Sequence, residues 1–226
     1  MSPKPSRSQA AVPDYPPAPW PLVGQLFCST WLVPAAKCQV SLGPGLEPRV
    51  IAGRVVVAAA FVEYQEGSAL TYYEAFAGVL ARKQGARFFG MTVPFMWVDS
   101  AASMRAGREL WALPKEMARF EFKYASDGLS ATATDERGRP LMEATYRKRV
   151  GVPGRAPLPL PVLQPHQGRY LETNALFKSK VNLVSARVTV PAESPLAALG
   201  IADQEPFTSI WMQDFNCLLD AGKPVD

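Results

Sequence analysis

Nearly every apolar stretch in this chain repeats with a period of two or runs unbroken for about ten residues, which restricts the fold to one built on β-strands. In 22–33, Leu26, Cys28, Thr30 and Leu32 fall on one side of an extended chain and Phe27, Ser29, Trp31 and Val33 on the other. A strand apolar on both sides belongs where both faces of a sheet are covered. Residues 55–64, VVVAAAFVEY, follow the turn-like Gly43-Pro44-Gly45 as a continuous apolar run. Residues 87–98 are interrupted by Gly90 and Pro94, which marks a bulge or an edge position. In 119–124, Phe120, Phe122 and Tyr124 point inward and the charged residues between them point outward. Residues 129–134 and 141–150 form a hairpin across Asp135-Glu136-Arg137-Gly138, with Met142, Ala144 and Tyr146 toward the core. Residues 181–190 and 207–219 are again strand-like.

Helical signals are few. Asp99 or Ser100 can cap a short helix ending near Leu110, and Ala101, Ala102, Ala106 and Gly107 would let it press closely on a sheet. Residues 194–199 suit a short turn of helix, and 74–83 fit helix or strand equally. Residues 151–164 carry Pro153, Pro157, Pro159 and Pro161, so a loop along the wall is expected there, not a central strand. Residues 1–19, with six prolines among small and charged residues, are expected to form a mobile arm able to drape over a neighbouring subunit. Residues 20–226 are then a single domain of α+β class, rich in strands with a few short helices. Periodicity alone does not choose between a barrel and a sandwich.

Composition removes several function classes. With 226 residues, 48% of them hydrophobic, a sizeable core is available. Cys28, Cys38 and Cys217 are far apart and His166 is the only histidine, so neither a metal site nor a cofactor is expected. The odd cysteine count and the lack of a long apolar run point to a soluble, cytoplasmic protein without a membrane partner. The net charge is +4, yet Arg147-Lys148-Arg149 is the only tight basic cluster. A solvated strand end accounts for it more simply than a nucleic-acid site.

The chemistry gathers in 98–119, VDSAASMRAGRELWALPKEMAR, where Lys115 follows a proline between two apolar runs. An amine is nucleophilic only when neutral, and burial among Trp111, Leu113, Met117 and Phe120 would lower its pKa. Val98-Asp99, Ala101, Ala106, Gly107-Arg108-Glu109-Leu110 and Pro114-Lys115 together resemble the signature of the acetoacetate decarboxylase superfamily. That resemblance, and not the spacing, implies a closed, cone-like β-barrel with an interior active site. It also implies a Schiff base between Lys115 and a ketone, since acetoacetate decarboxylase is itself the standard illustration of a lysine activated this way. Superfamily relatives are commonly homo-oligomers.

Within the resemblance, Thr71-Tyr72-Tyr73-Glu74 is similar to the family's Tyr-x-Glu motif, which makes Glu74 a candidate general acid or base. Arg108 and Glu109 are expected to anchor the helix as a structural pair. Three features depart from the pattern. Glu116 stands where the family has a second lysine, and strand alternation should turn it away from the pocket. No arginine lies near 23–26, so Gln25 is expected to hydrogen-bond a neutral substrate group instead. A second acidic residue is missing unless Glu63 supplies it. Lys115 and Glu74 are thus the candidate catalytic pair, with Gln25, Tyr72, Trp97 and Trp111 as candidate substrate contacts. The expected function is a lyase-type reaction on a small ketone or keto acid, by aldol, dehydration, cyclisation or decarboxylation chemistry. The alternative is a barrel that binds or folds a hydrophobic ligand without covalent chemistry.

Overall fold

The structure, a computed structural model, describes residues 14–83, 89–202 and 204–225. In chain order the strands are β1 (Trp20–Pro34), β2 (Leu46–Pro48), β3 (Val50–Ile51), β4 (Arg54–Tyr64), β5 (Tyr72–Lys83), β6 (Phe89–Val98), β7 (Lys115–Ala125), β8 (Gly128–Asp135), β9 (Pro140–Gly151), β10 (Ala156–His166), β11 (Arg169–Thr189), β12 (Thr208–Leu219) and β13 (Lys223–Val225). One α-helix among the described residues, α1 (Ala101–Trp111), crosses from β6 to β7. The sheet runs β10-β6-β7-β8-β9-β11-β12-β1-β4-β5-β2, with further ladders between β5 and β6 and between β10 and β11. The β6–β7 pairing is parallel, which is why a helical crossover lies between them.

Side-chain parity divides the interior in two. On β4, Val55, Val57, Ala59 and Phe61 enter one apolar cluster, whereas Ala60, Val62 and Tyr64 enter another. Burial on both faces explains the unbroken apolar runs in the sequence. The second cluster lies between β1, β4, β5 and β12 on one side and α1, β10 and β11 on the other. Parity changes on β12. There Gly24 and Leu26 of β1 oppose Phe215 and Met212, so one extra residue is accommodated near Asp214, whose φ of 49° is left-handed.

Residues 74–83, open between helix and strand in the sequence, lie within β5. The bulge expected at Pro94 is present, because Ala77 and Val79 of β5 oppose Phe95 and Thr92. The loop expected over 151–164 is corrected: most of that stretch lies in β10, paired along its length with β11. Its prolines at 157, 159, 161 and 165 are all odd-numbered, so their missing N–H groups fall on one edge of the strand. That edge meets β6 only at Val162, leaving the donors of the even residues for β11. Of the N-terminal arm, residues 1–13 lie outside the described residues. Residues 14–19 lie against α1: Tyr15 donates a hydrogen bond to Glu109, and Asp14 pairs with Arg105.

Candidate active site

Lys115 opens β7, four residues after the last turn of α1. Ser100 caps the helix by accepting from the Ser103 N–H. At the other end Ala112 adopts a left-handed conformation, and Leu113 N–H returns to the Gly107 carbonyl at 3.0 Å. The reversal sends the chain back as a strand. Arg108 donates to the carbonyl of Lys115 at 2.8 Å and so ties helix to strand. The anchoring expected of Arg108 and Glu109 as a mutual pair is corrected, since Glu109 is held by Tyr15 instead. Ser103, Ala106 and Gly107, spaced three and four apart, share the buried face of α1. Gly107 permits close approach: a Cβ there would lie 2.5 Å from Cδ of Lys115.

The lysine side chain is only 3% exposed. Its Nζ donates to Glu74 Oε2 at 2.8 Å, to Ser103 Oγ at 3.0 Å and to the Tyr72 hydroxyl at 3.3 Å. Glu74 lies on β5 between Val62 and Val98, and its Oε1 accepts from the Tyr64 hydroxyl at 3.1 Å. Tyr64 and Tyr72 are directly opposed on β4 and β5, with ring centroids 4.5 Å apart. Neither Tyr64 nor Ser103 was singled out by sequence. The helical spacing of Ser103 with Ala106 and Gly107 was the available signal for one, and the even-numbered parity shared with Val62 for the other.

Burial is the largest influence on Lys115 and pulls its pKa down, but the Glu74 charge and the Tyr72 hydroxyl together outweigh it and hold the ammonium above its ordinary range. This corrects the expectation that burial would leave the amine neutral. The same burial, with the Glu74 charge, pushes the Tyr72 phenol up to about 12, so it remains a proton donor. Water is largely excluded from the pair, which costs several kcal/mol per ion and is offset by the mutual attraction and by the hydrogen bonds from Tyr64 and to Ser103.

Beside the pair lies a cavity of about 90 Å³, whose walls include Trp20, Leu26, Phe76, Trp111 and Phe177 as well as Lys115 and Glu74. The candidate contacts Tyr72 and Trp111 also line it. Gln25 and Trp97 do not, and both placements are corrections set by strand parity. Gln25 lies on the opposite face from Leu26, where it accepts from Trp211 Nε1 at 2.8 Å and donates to Asp214 at 3.2 Å. Trp97 packs in the other cluster, its ring stacked 6.1 Å from Phe95. Glu63 also lies opposite, accepting from Tyr124 at 2.6 Å, and is not a second acidic group for the pocket. Phe120 likewise packs on that other face. Glu116 is exposed, turned away from the cavity that Lys115 enters.

A β-rich fold with one crossover helix and a buried lysine–carboxylate pair at a cavity defines the class of protein. The acetoacetate decarboxylase (ADC) family profile matches residues 1–179, and the chain belongs to that family. No curated protein matches the sequence. Among solved structures, an acetoacetate decarboxylase from Legionella pneumophila superposes with a TM-score of 0.74 at 18% identity, over 98% of this chain and 92% of that one. The enduracididine biosynthesis enzyme MppR, complexed with the condensation product of pyruvate and imidazole 4-carboxaldehyde, gives 0.66 at 17% identity, over 92% and 90%. An acetoacetate decarboxylase-like enzyme from Sphingomonas wittichii RW1 gives 0.63 at 12% identity, over 92% and 93%. At these identities the likeness is one of fold.

Proposed function

We propose that this chain is a Schiff-base enzyme of lyase type, in which Lys115 is the nucleophile and a small ketone or keto acid the substrate. The observation that carries the reading is the buried Lys115–Glu74 pair facing a cavity. Protons and charge balance within the pair. The ammonium passes a proton across 2.8 Å to Glu74, and the freed amine adds to the carbonyl carbon while its own N–H proton moves to the oxygen. Glu74 then gives its proton to that oxygen, which leaves as water. The iminium cation is left facing the regenerated carboxylate. The counter-ion that opposes a free amine therefore also stabilises the intermediate. An electron pair from an adjacent C–C or C–H bond can then enter the iminium, which serves decarboxylation, aldol, dehydration and cyclisation alike. Among the described residues no arginine lines the cavity, so acetoacetate itself is not the substrate we propose.

The setting that goes with this reading is a cytoplasmic homo-oligomer built on a closed, cone-like barrel. The ladders that add β5–β6 and β10–β11 to the main path support closure. Exposed Leu176, Leu183, Phe207 and Leu218 support association. A second reading, noncovalent binding or folding of a hydrophobic ligand, is favoured by the charged state of Lys115 at rest. Incubation with candidate ketones and cyanoborohydride separates the two. The covalent reading expects a mass increase on the Lys115 peptide that is lost in Lys115→Ala. Full activity retained by Lys115→Ala would remove it in favour of the noncovalent one.

A further inference from the structure

Resting on the Schiff-base reading, we infer that the substrate is an uncharged carbonyl compound with an apolar tail, its carbonyl at Lys115 and its tail in a second void on the same face of the sheet. That void, about 260 Å³, is lined by Cys28 and Thr30 of β1, Val56 and Ala58 of β4, Met91 of β6 and Ile210 of β12, among others. It shares Leu26, Phe76, Leu160 and Phe177 with the cavity at Lys115, so the two adjoin across four common side chains. The cavity at Lys115 alone, about 90 Å³, holds a short carbonyl fragment, water occupying roughly 30 Å³ per molecule in the liquid. Taken with the second void it enters the size range of ordinary ligand sites, about 300–1,000 Å³.

The charge in these walls sets the class of substrate. Among the described residues lining either void, Lys115 and Glu74 are the only charged side chains, and each already neutralises the other. A substrate carboxylate would surrender its hydration and meet no unpaired cation in these walls. Thr173 stands in the wall of the cavity, and its buried Oγ1 has no hydrogen-bond partner. A neutral hydroxyl of this kind suits a carbonyl or hydroxyl oxygen of the substrate.

The test follows the rate of cyanoborohydride trapping on Lys115 for butan-2-one, nonan-2-one, pyruvate and 8-oxononanoate, the last being a chain of the same length that ends in a carboxylate. The inference expects apparent affinity to rise about fourfold per methylene from butan-2-one toward nonan-2-one, the gain from burying one such group. Trapping of nonan-2-one should exceed that of pyruvate and of 8-oxononanoate at least tenfold. Either acid trapped as fast as nonan-2-one would overturn the inference. Ala58→Phe, or Thr30→Tyr should the first not fold, fills the second void and should lower the ratio of long to short ketone trapping at least tenfold. An unchanged ratio in a folded variant would overturn the tail placement. Should no carbonyl be trapped, the Schiff-base reading fails by itself. Quenching of Trp20 and Trp111 fluorescence then decides: half-saturation by nonan-2-one at least tenfold below that by 8-oxononanoate supports the inference, and equal values overturn it.

Discussion

The two faces of the one sheet are built from alternate residues of the same strands, yet they are finished differently. On one face Phe27 packs its ring 5.0 Å from Trp211 and 5.3 Å from Tyr146, and Phe61 meets Phe122 edge-on at 5.7 Å. The other face carries Leu26, Tyr72 and Phe177 around an incompletely filled space and the buried Lys115–Glu74 pair. The filled face secures the strands with large, buried apolar side chains. The open face then uses that rigidity to hold two charges at a fixed distance beside a void. The packed core and the candidate site are thus separated by one step along each strand.

Substitutions on neighbouring positions test that separation. The largest effect on stability is expected from Phe27→Ala, a fully buried ring on the filled face, which should cost about 3–5 kcal/mol in urea unfolding while the remaining folded protein still traps ketone on Lys115. Loss of trapping in step with stability would mean that the two faces are not separable. Gly107→Ala acts on the open face. Its methyl would meet Cδ of Lys115 at 2.5 Å, and moving the amine by about 1 Å should slow trapping on the order of a hundredfold with little change in unfolding.

Glu74→Gln removes the charge that holds Lys115 up and leaves burial, which pulls it down. The pH at which trapping is half-maximal should therefore move toward acid by about one unit or more, equivalent to roughly 1.4 kcal/mol or more. The sign also fixes the stability profile. In the native protein the raised lysine contributes stability fully below its unfolded pKa of about 10.4, and the contribution is lost as pH rises through the folded value. A shift of the trapping profile toward alkali would mean that Glu74 does not act through charge. The smallest effect separates two tryptophans. Trp111→Phe, at the cavity, should weaken ketone affinity by a few-fold, because the ring loses buried area and the hydrogen bond of its Nε1 to the Asp220 carbonyl at 2.7 Å. Trp97→Phe should leave affinity unchanged, which ligand titration of both variants checks.

Much of this was legible in the residues alone. The strands show through their period-two patterning, α1 through its cap and its small residues, and Lys115 and Glu74 through the two motifs that carry the family resemblance. The exposed placement of Glu116 follows from alternation after a buried neighbour. Proline content alone argues against a strand at β10, yet prolines confined to one edge are compatible with pairing on the other. Gln25 and Trp97 each stand one position along a strand from a pocket residue, Leu26 and Met96, and alternation turns them to the opposite face.

The residues alone establish which positions alternate, where the chain turns and which lysine carries the family's motif, because these depend on neighbours along the chain. Folding in three dimensions leaves one of two apolar faces unfilled and brings Glu74, forty-one residues away, within 2.8 Å of the Lys115 amine, where its charge opposes the effect of burial. Both outcomes depend on strand register and on distances across the sheet. A few ångströms between groups far apart in the chain decide whether a buried charge is paired, and no local pattern records them.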